Sequence, residues 1–98
     1  MRLLEFAMRM KKFEPETLQK MAGNVKLATG KKPFVLPFAE RGSLVMVSAE
    51  NGDGAADYYG EFRGGGYPYI DPALEAFATK YDAYWEWVNP GQIAMYPA

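Results

Sequence analysis

At 98 residues, about half of them apolar, the chain is long enough for one small globular domain and too apolar for a disordered segment. It contains neither cysteine nor histidine, which excludes disulfides, thiolate or imidazole metal sites and every catalytic arrangement built on a histidine base. The net charge of −1 hides an uneven distribution: nine Lys/Arg against four Asp/Glu over residues 1–41, then two against eight over residues 42–98. A fold that kept the halves apart would have a basic and an acidic side, whereas one that interleaved them would neutralise both.

No targeting segment stands out at the N-terminus, where Glu5 interrupts the apolar residues. Nothing approaches the roughly 20 apolar residues of a membrane-spanning helix. A cytoplasmic protein without a membrane anchor is expected, and the missing cysteine suits a reducing compartment.

Taken in order, residues 2–12 satisfy two templates. Leu3, Phe6, Ala7 and Met10 follow helical spacing, and Leu4, Phe6, Met8 and Met10 alternate as a strand would. The residue types favour a helix that buries one face against its own domain. Glu14–Thr29 is predicted as a second helix. Pro15 stands at its first position, Leu18, Met21, Ala22, Val25 and Ala28 form its apolar stripe, and Gly30 is placed to close it. Gly23 and Asn24 weaken its middle.

Phe34–Phe38 and Leu44–Ala49 then read as a hairpin around the turn Glu40-Arg41-Gly42-Ser43. Pro37 removes a donor, so the first strand should be an edge or be broken there. The second is apolar without alternation, as a central strand is. Asn51–Ile70 follows as a long loop holding six of the ten glycines and four of the seven tyrosines. Asp71 and Pro72 start the next helix, with stripe Leu74, Phe77, Ala78 and Tyr81, ending near Asp82. AYWEWV reads as a strand, Asn89-Pro90-Gly91-Gln92 as a type II turn, and Ile93–Tyr96 as the return strand. The expected fold is a single α+β domain over residues 1–98, with two or three helices packed on an antiparallel sheet of about four strands.

Three familiar signatures come close and fail. Gly52-Asp53-Gly54-Ala55-Ala56-Asp57 begins like a dinucleotide fingerprint, but Asp57 replaces its last glycine and no helix follows. Gly30-Lys31-Lys32 ends a predicted helix and lacks the Ser/Thr of a phosphate loop. Glu50–Glu61 has the length of a calcium loop, yet Gly52 and Gly54 stand where oxygen ligands belong and Ala55 where the turn wants glycine. No cofactor and no metal is implied.

What survives is a surface. Asp53, Asp57 and Glu61 recur every four residues among Tyr58, Tyr59 and Arg63, with Tyr67 and Tyr69 beyond them. Trp85 and Trp87 share one strand face, opposite Tyr84, Glu86 and Val88. Tyrosine and tryptophan serve as interface anchors, and Tyr/Gly-rich loops have the composition of binding loops. The expectation is a non-enzymatic protein-binding module whose contacts are Asp53, Asp57, Tyr58, Tyr59, Glu61, Arg63, Tyr67, Tyr69, Trp85 and Trp87. A second copy of the chain is a further partner open to such a surface. Small, site-poor profiles of this kind are common among accessory proteins of phages and mobile elements, including inhibitors of host defence complexes; that likeness is one of type, carried by no residue.

The alternative is a carbohydrate or small-ligand site on the same aromatics, with the carboxylates available for hydrolysis. Against both stands an ordinary solvated acidic loop. A nucleic-acid face would use Arg2, Arg9, Lys11, Lys12, Lys20, Lys26, Lys31 and Lys32, but it lacks a recognition motif, and the acidic loop argues against it.

Overall fold

The computed structural model describes residues 14–39, 42–59 and 68–98. The expected N-terminal helix over residues 2–12, and Glu40 and Arg41 of the expected hairpin turn, lie outside them. The described elements are α1 (Pro15–Ala22), β1 (Val45–Ser48), β2 (Ala56–Asp57), β3 (Tyr69–Ile70), α2 (Pro72–Lys80), β4 (Ala83–Asn89) and β5 (Gln92–Pro97). They form a small α+β arrangement with antiparallel sheets of three strands, in the order β1-β5-β4, and of two strands, β2-β3.

Helix α1 starts at Pro15 as expected but stops at Ala22, seven residues short of Thr29. The weak middle is the reason. The Gly23 N–H bonds back to the Gln19 carbonyl at 3.0 Å and the Asn24 N–H to that of Met21 at 3.1 Å, while the Asn24 side chain caps the Lys20 carbonyl at 3.0 Å. Beyond it the chain doubles back in a turn, with Leu27 N–H on the Lys31 carbonyl at 2.9 Å and Gly30 N–H on that of Leu27 at 2.8 Å. Gly30 does take a left-handed conformation, at φ 84°, but it closes this turn rather than the helix. Leu27, outside the predicted stripe, is thereby buried, and Ala28, inside it, is exposed.

Of the expected strand Phe34–Phe38 one bridge remains, Val35 to Val47, flanked by bonds from Leu36 to Met46 and from Ser48 to Phe34. Pro33 and Pro37 bracket it and supply no donors. Strand β1 pairs with β5 on its other side, in the register Val45 to Met95 and Val47 to Ile93. The pleat puts Val45, Val47, Ile93, Met95, Trp85 and Ala83 on one face, where they meet Leu18 and Ala22 of α1 and Leu74 and Ala78 of α2. Met46 and Ala94 alternate onto the opposite face and are also fully buried. Burial on both faces is what an uninterrupted apolar strand implies. The centre of the sheet is nonetheless β5, with β1 beside it.

Helix α2 follows expectation most closely. The Asp71 Oδ1 accepts the Ala73 N–H at 2.8 Å, and the helix ends where Tyr81 leaves helical geometry and Asp82 adopts φ 55°. The Trp85 indole N–H donates to the Leu74 carbonyl at 2.7 Å and ties β4 to the first turn of α2. The loop Asn51–Ile70 is less open than expected. Ala56 pairs with Ile70 and Asp57 with Tyr69 in the short β2-β3 ladder. Two residues per strand is too short for any alternation to be read from sequence.

Asp71 does more than cap. Its Oδ2 accepts the Ala28 N–H at 3.0 Å, and its own N–H donates to the Ala55 carbonyl at 2.8 Å, all at 1% exposure. Removing both acceptors leaves two backbone donors unpaired, so Asp71→Ala should lower unfolding stability by about 2–4 kcal/mol in urea denaturation. Asp71→Asn, which keeps one oxygen, should lose less. Equal stability of wild type and Asp71→Ala would show that the carboxyl is no such hub.

Candidate functional site

Strand β1 delivers the chain at Ala49 and Glu50 into the glycine-rich segment, which crosses back over the Leu27–Lys31 turn before entering β2. The crossing is held by side-chain bonds to backbone. Thr29 Oγ1 donates to the Asp53 carbonyl at 2.6 Å, and Lys31 Nζ to the Gly52 carbonyl at 3.3 Å. Gly54 sits at φ 81°, where a Cβ would lie 2.7 Å from the Thr29 methyl, so both conformation and space demand glycine. Gly52, at φ 73°, faces open space and answers to conformation alone.

Beside this crossing lies an open cleft of about 650 Å³. Among the described residues its lining includes Thr29 and Gly54 of the crossing, Glu50 and Pro90, and the two rings Tyr58 and Tyr59. Tyr59 is the most exposed of these rings, at 62%. Its ring meets that of Tyr58 edge to face, with centroids 5.2 Å apart and planes at 88°. Tyr58 is backed in turn by Trp87, at 5.2 Å and 76°. Edge-to-face contacts of this kind hold ring orientation as well as burying area.

The turn Asn89–Gln92 borders the cleft and differs from expectation. Gly91 lacks the positive φ that a type II turn needs. Instead the Asn89 side chain accepts the Gly91 N–H at 2.8 Å, and a bulge in β4 falls between Trp87 and Asn89. The exposed Glu50 side chain lies against this turn, its carboxylate filling the space a Cβ on Gly91 would take.

The expected contact residues fall into five placements. Tyr58 and Tyr59 line the cleft and Trp87 supports it. Asp53 and Asp57, expected as acids facing a partner, are 4% and 7% exposed. Asp53 accepts the Ala55 N–H at 2.9 Å and the Asn51 amide at 3.3 Å, and Asp57 accepts the Tyr59 N–H at 3.1 Å. A glycine-rich turn leaves backbone donors that no ladder satisfies, and the nearest carboxylates turn inward to take them.

Trp85 belongs to the core, because it shares the inward face with Trp87 but lies one ladder position deeper under α2. Tyr69 is half-buried in β3, opposite Asp57. Glu61, Arg63 and Tyr67 lie outside the described residues. Among those described, no three carboxylates converge as metal ligands would. Glu50, Thr29 and Pro90 were absent from the expected surface. In sequence Glu50 stands out only as the first position of a failed calcium loop, and nothing links Thr29 to a glycine 25 positions on.

No protein-family model matches the chain, and neither does any curated protein or any solved structure. No described helix is long and apolar enough to cross a membrane.

The Thr29–Gly54 contact makes a quantitative comparison available. Gly52→Ala should cost about 1 kcal/mol for its backbone conformation, and Gly54→Ala about 1–2 kcal/mol more because it also displaces Thr29. Thr29→Ser, which keeps the hydroxyl and deletes the methyl, should recover part of the Gly54→Ala loss in a double-mutant cycle. Equal costs at the two glycines would mean the crossing is not held by this contact.

Proposed function

We propose that the protein is a small non-enzymatic binding module that engages a protein partner through the cleft between Glu50 and Tyr59. The observation that carries this is the exposed Tyr59 ring, packed edge to face with a Tyr58 ring that Trp87 backs in turn. A large ring held in place loses little freedom on binding, which is the property of an interface anchor. The inward hydrogen bonding of Asp53 and Asp57 supports binding over hydrolysis, since these oxygens are engaged with backbone donors. Inhibition of a host defence or nucleic-acid-handling complex is the concrete form we favour, on the profile of a small chain poor in catalytic residue types.

Used as bait in extracts of its native host, the wild-type protein should retain a partner that Tyr59→Ala loses. The expected weakening is about 2 kcal/mol or more, the range of an interface hot spot. The thermal midpoint should move little, because the ring is exposed. Undiminished capture by a folded Tyr59→Ala protein would remove the cleft from this reading.

A second reading, a carbohydrate or other small ligand in the same cleft, has one observation in its favour: about 650 Å³ lies within the usual range of small-molecule pockets. Trp87 touches the cleft through Tyr58, whereas Trp85 is enclosed. A glycan panel should therefore change the emission of a Trp85→Phe protein if this reading holds. Silence across the panel argues for the protein partner.

A further inference from the structure

We infer that the cleft receives an arginine side chain of the partner; this rests on the reading of the cleft as the partner-binding site. The charged side chains among the described lining residues are both acidic, Glu50 and Asp57. Both belong to residues 42–98, which carry eight Asp/Glu against two Lys/Arg. Lys31 stands close by in the fold, but its ammonium is engaged with the Gly52 carbonyl and it is not among the lining residues.

The two acids have different parts. Asp57 is buried and holds the Tyr59 backbone N–H, which fixes the segment that carries both rings. Glu50 is exposed, and its carboxylate is seated against Gly91, where the missing Cβ leaves room for it. The lining thus offers an incoming group one exposed acidic residue and two perpendicular tyrosine rings. The negative face of an aromatic ring and a carboxylate both attract a cation.

Other occupants gain less. An apolar side chain would bury against the rings but desolvate Glu50 without compensation. A phosphate or carboxylate would be repelled, which sets nucleic acid aside. Between the two basic side chains, the planar and weakly hydrated guanidinium stacks on rings and pairs with carboxylates, while an ammonium stays more strongly hydrated.

The test is a selection of displayed random peptides on the wild-type protein, counter-selected on Tyr59→Ala so that only cleft-dependent binders survive. Enriched sequences should carry arginine at one recurring position. Replacing that arginine by its neutral isostere citrulline should weaken binding by about tenfold, from the combined loss of ring and carboxylate attraction. Glu50→Gln should weaken the arginine peptide by about 2- to 5-fold and leave the citrulline peptide unchanged. Cleft-dependent peptides without arginine, or citrulline forms that bind equally well, would overturn this inference and leave the cleft a protein-binding site. No enrichment that depends on Tyr59 would overturn the binding reading and this inference with it.

Discussion

A buried carboxyl group organises the half of the molecule that carries the cleft. At 1% exposure, Asp71 places one oxygen on the first turn of α2 and the other on the Leu27–Lys31 turn, while its backbone N–H reaches Ala55. Its carbonyl receives the Leu74 and Glu75 N–H groups as α2 begins. A polar group removed from water costs stability unless its hydrogen bonds are replaced, and here the replacements come from three separate stretches of chain. The residue is thus satisfied only when helix, turn and glycine-rich segment are all in place. Local capping and long-range assembly become one cooperative event at this position.

The cleft inherits its geometry from that assembly. Glycine-rich segments are ordinarily the low-stability parts of a fold. This one is held at Ala55 by Asp71, at Asp53 by Thr29 and at Gly52 by Lys31. Asp53 and Asp57 add local turns that orient the backbone leading to Tyr58 and Tyr59. The Asn89–Gln92 turn brings Pro90 to the cleft and leaves a space at Gly91 that the Glu50 carboxylate occupies. Gly54 therefore matters both for its backbone conformation and for the close approach of Thr29.

Where sequence reasoning succeeded, the signal was local and strong. Asp71-Pro72 marked a helix start because capping and a fixed proline φ act within four residues. The alternation of β4 was legible because Trp85 and Trp87 are large apolar residues separated by one polar position. It failed where a local preference met a competing one. The stripe from Leu18 to Ala28 kept helical spacing past Ala22, but Gly23 and Asn24 stopped the helix, and Leu27 rather than Ala28 reached the core. The acids of the loop depart from expectation for a related reason: charge favours solvent, while backbone donors of the turn draw Asp53 and Asp57 inward.

The sequence by itself determined the α+β class, the helix start at Asp71, the strands β1, β4 and β5 and the concentration of tyrosine near residues 58 and 59, because periodicity, capping and composition are properties of neighbouring residues. Tertiary structure alone decided that Trp87 supports the cleft while Trp85 lies in the core. It also brought Thr29 onto Gly54 and Glu50 against Gly91 at the cleft. Those are contacts across dozens of residues, and their energies depend on which backbone groups are left unpaired once the sheet has formed, which no local pattern records.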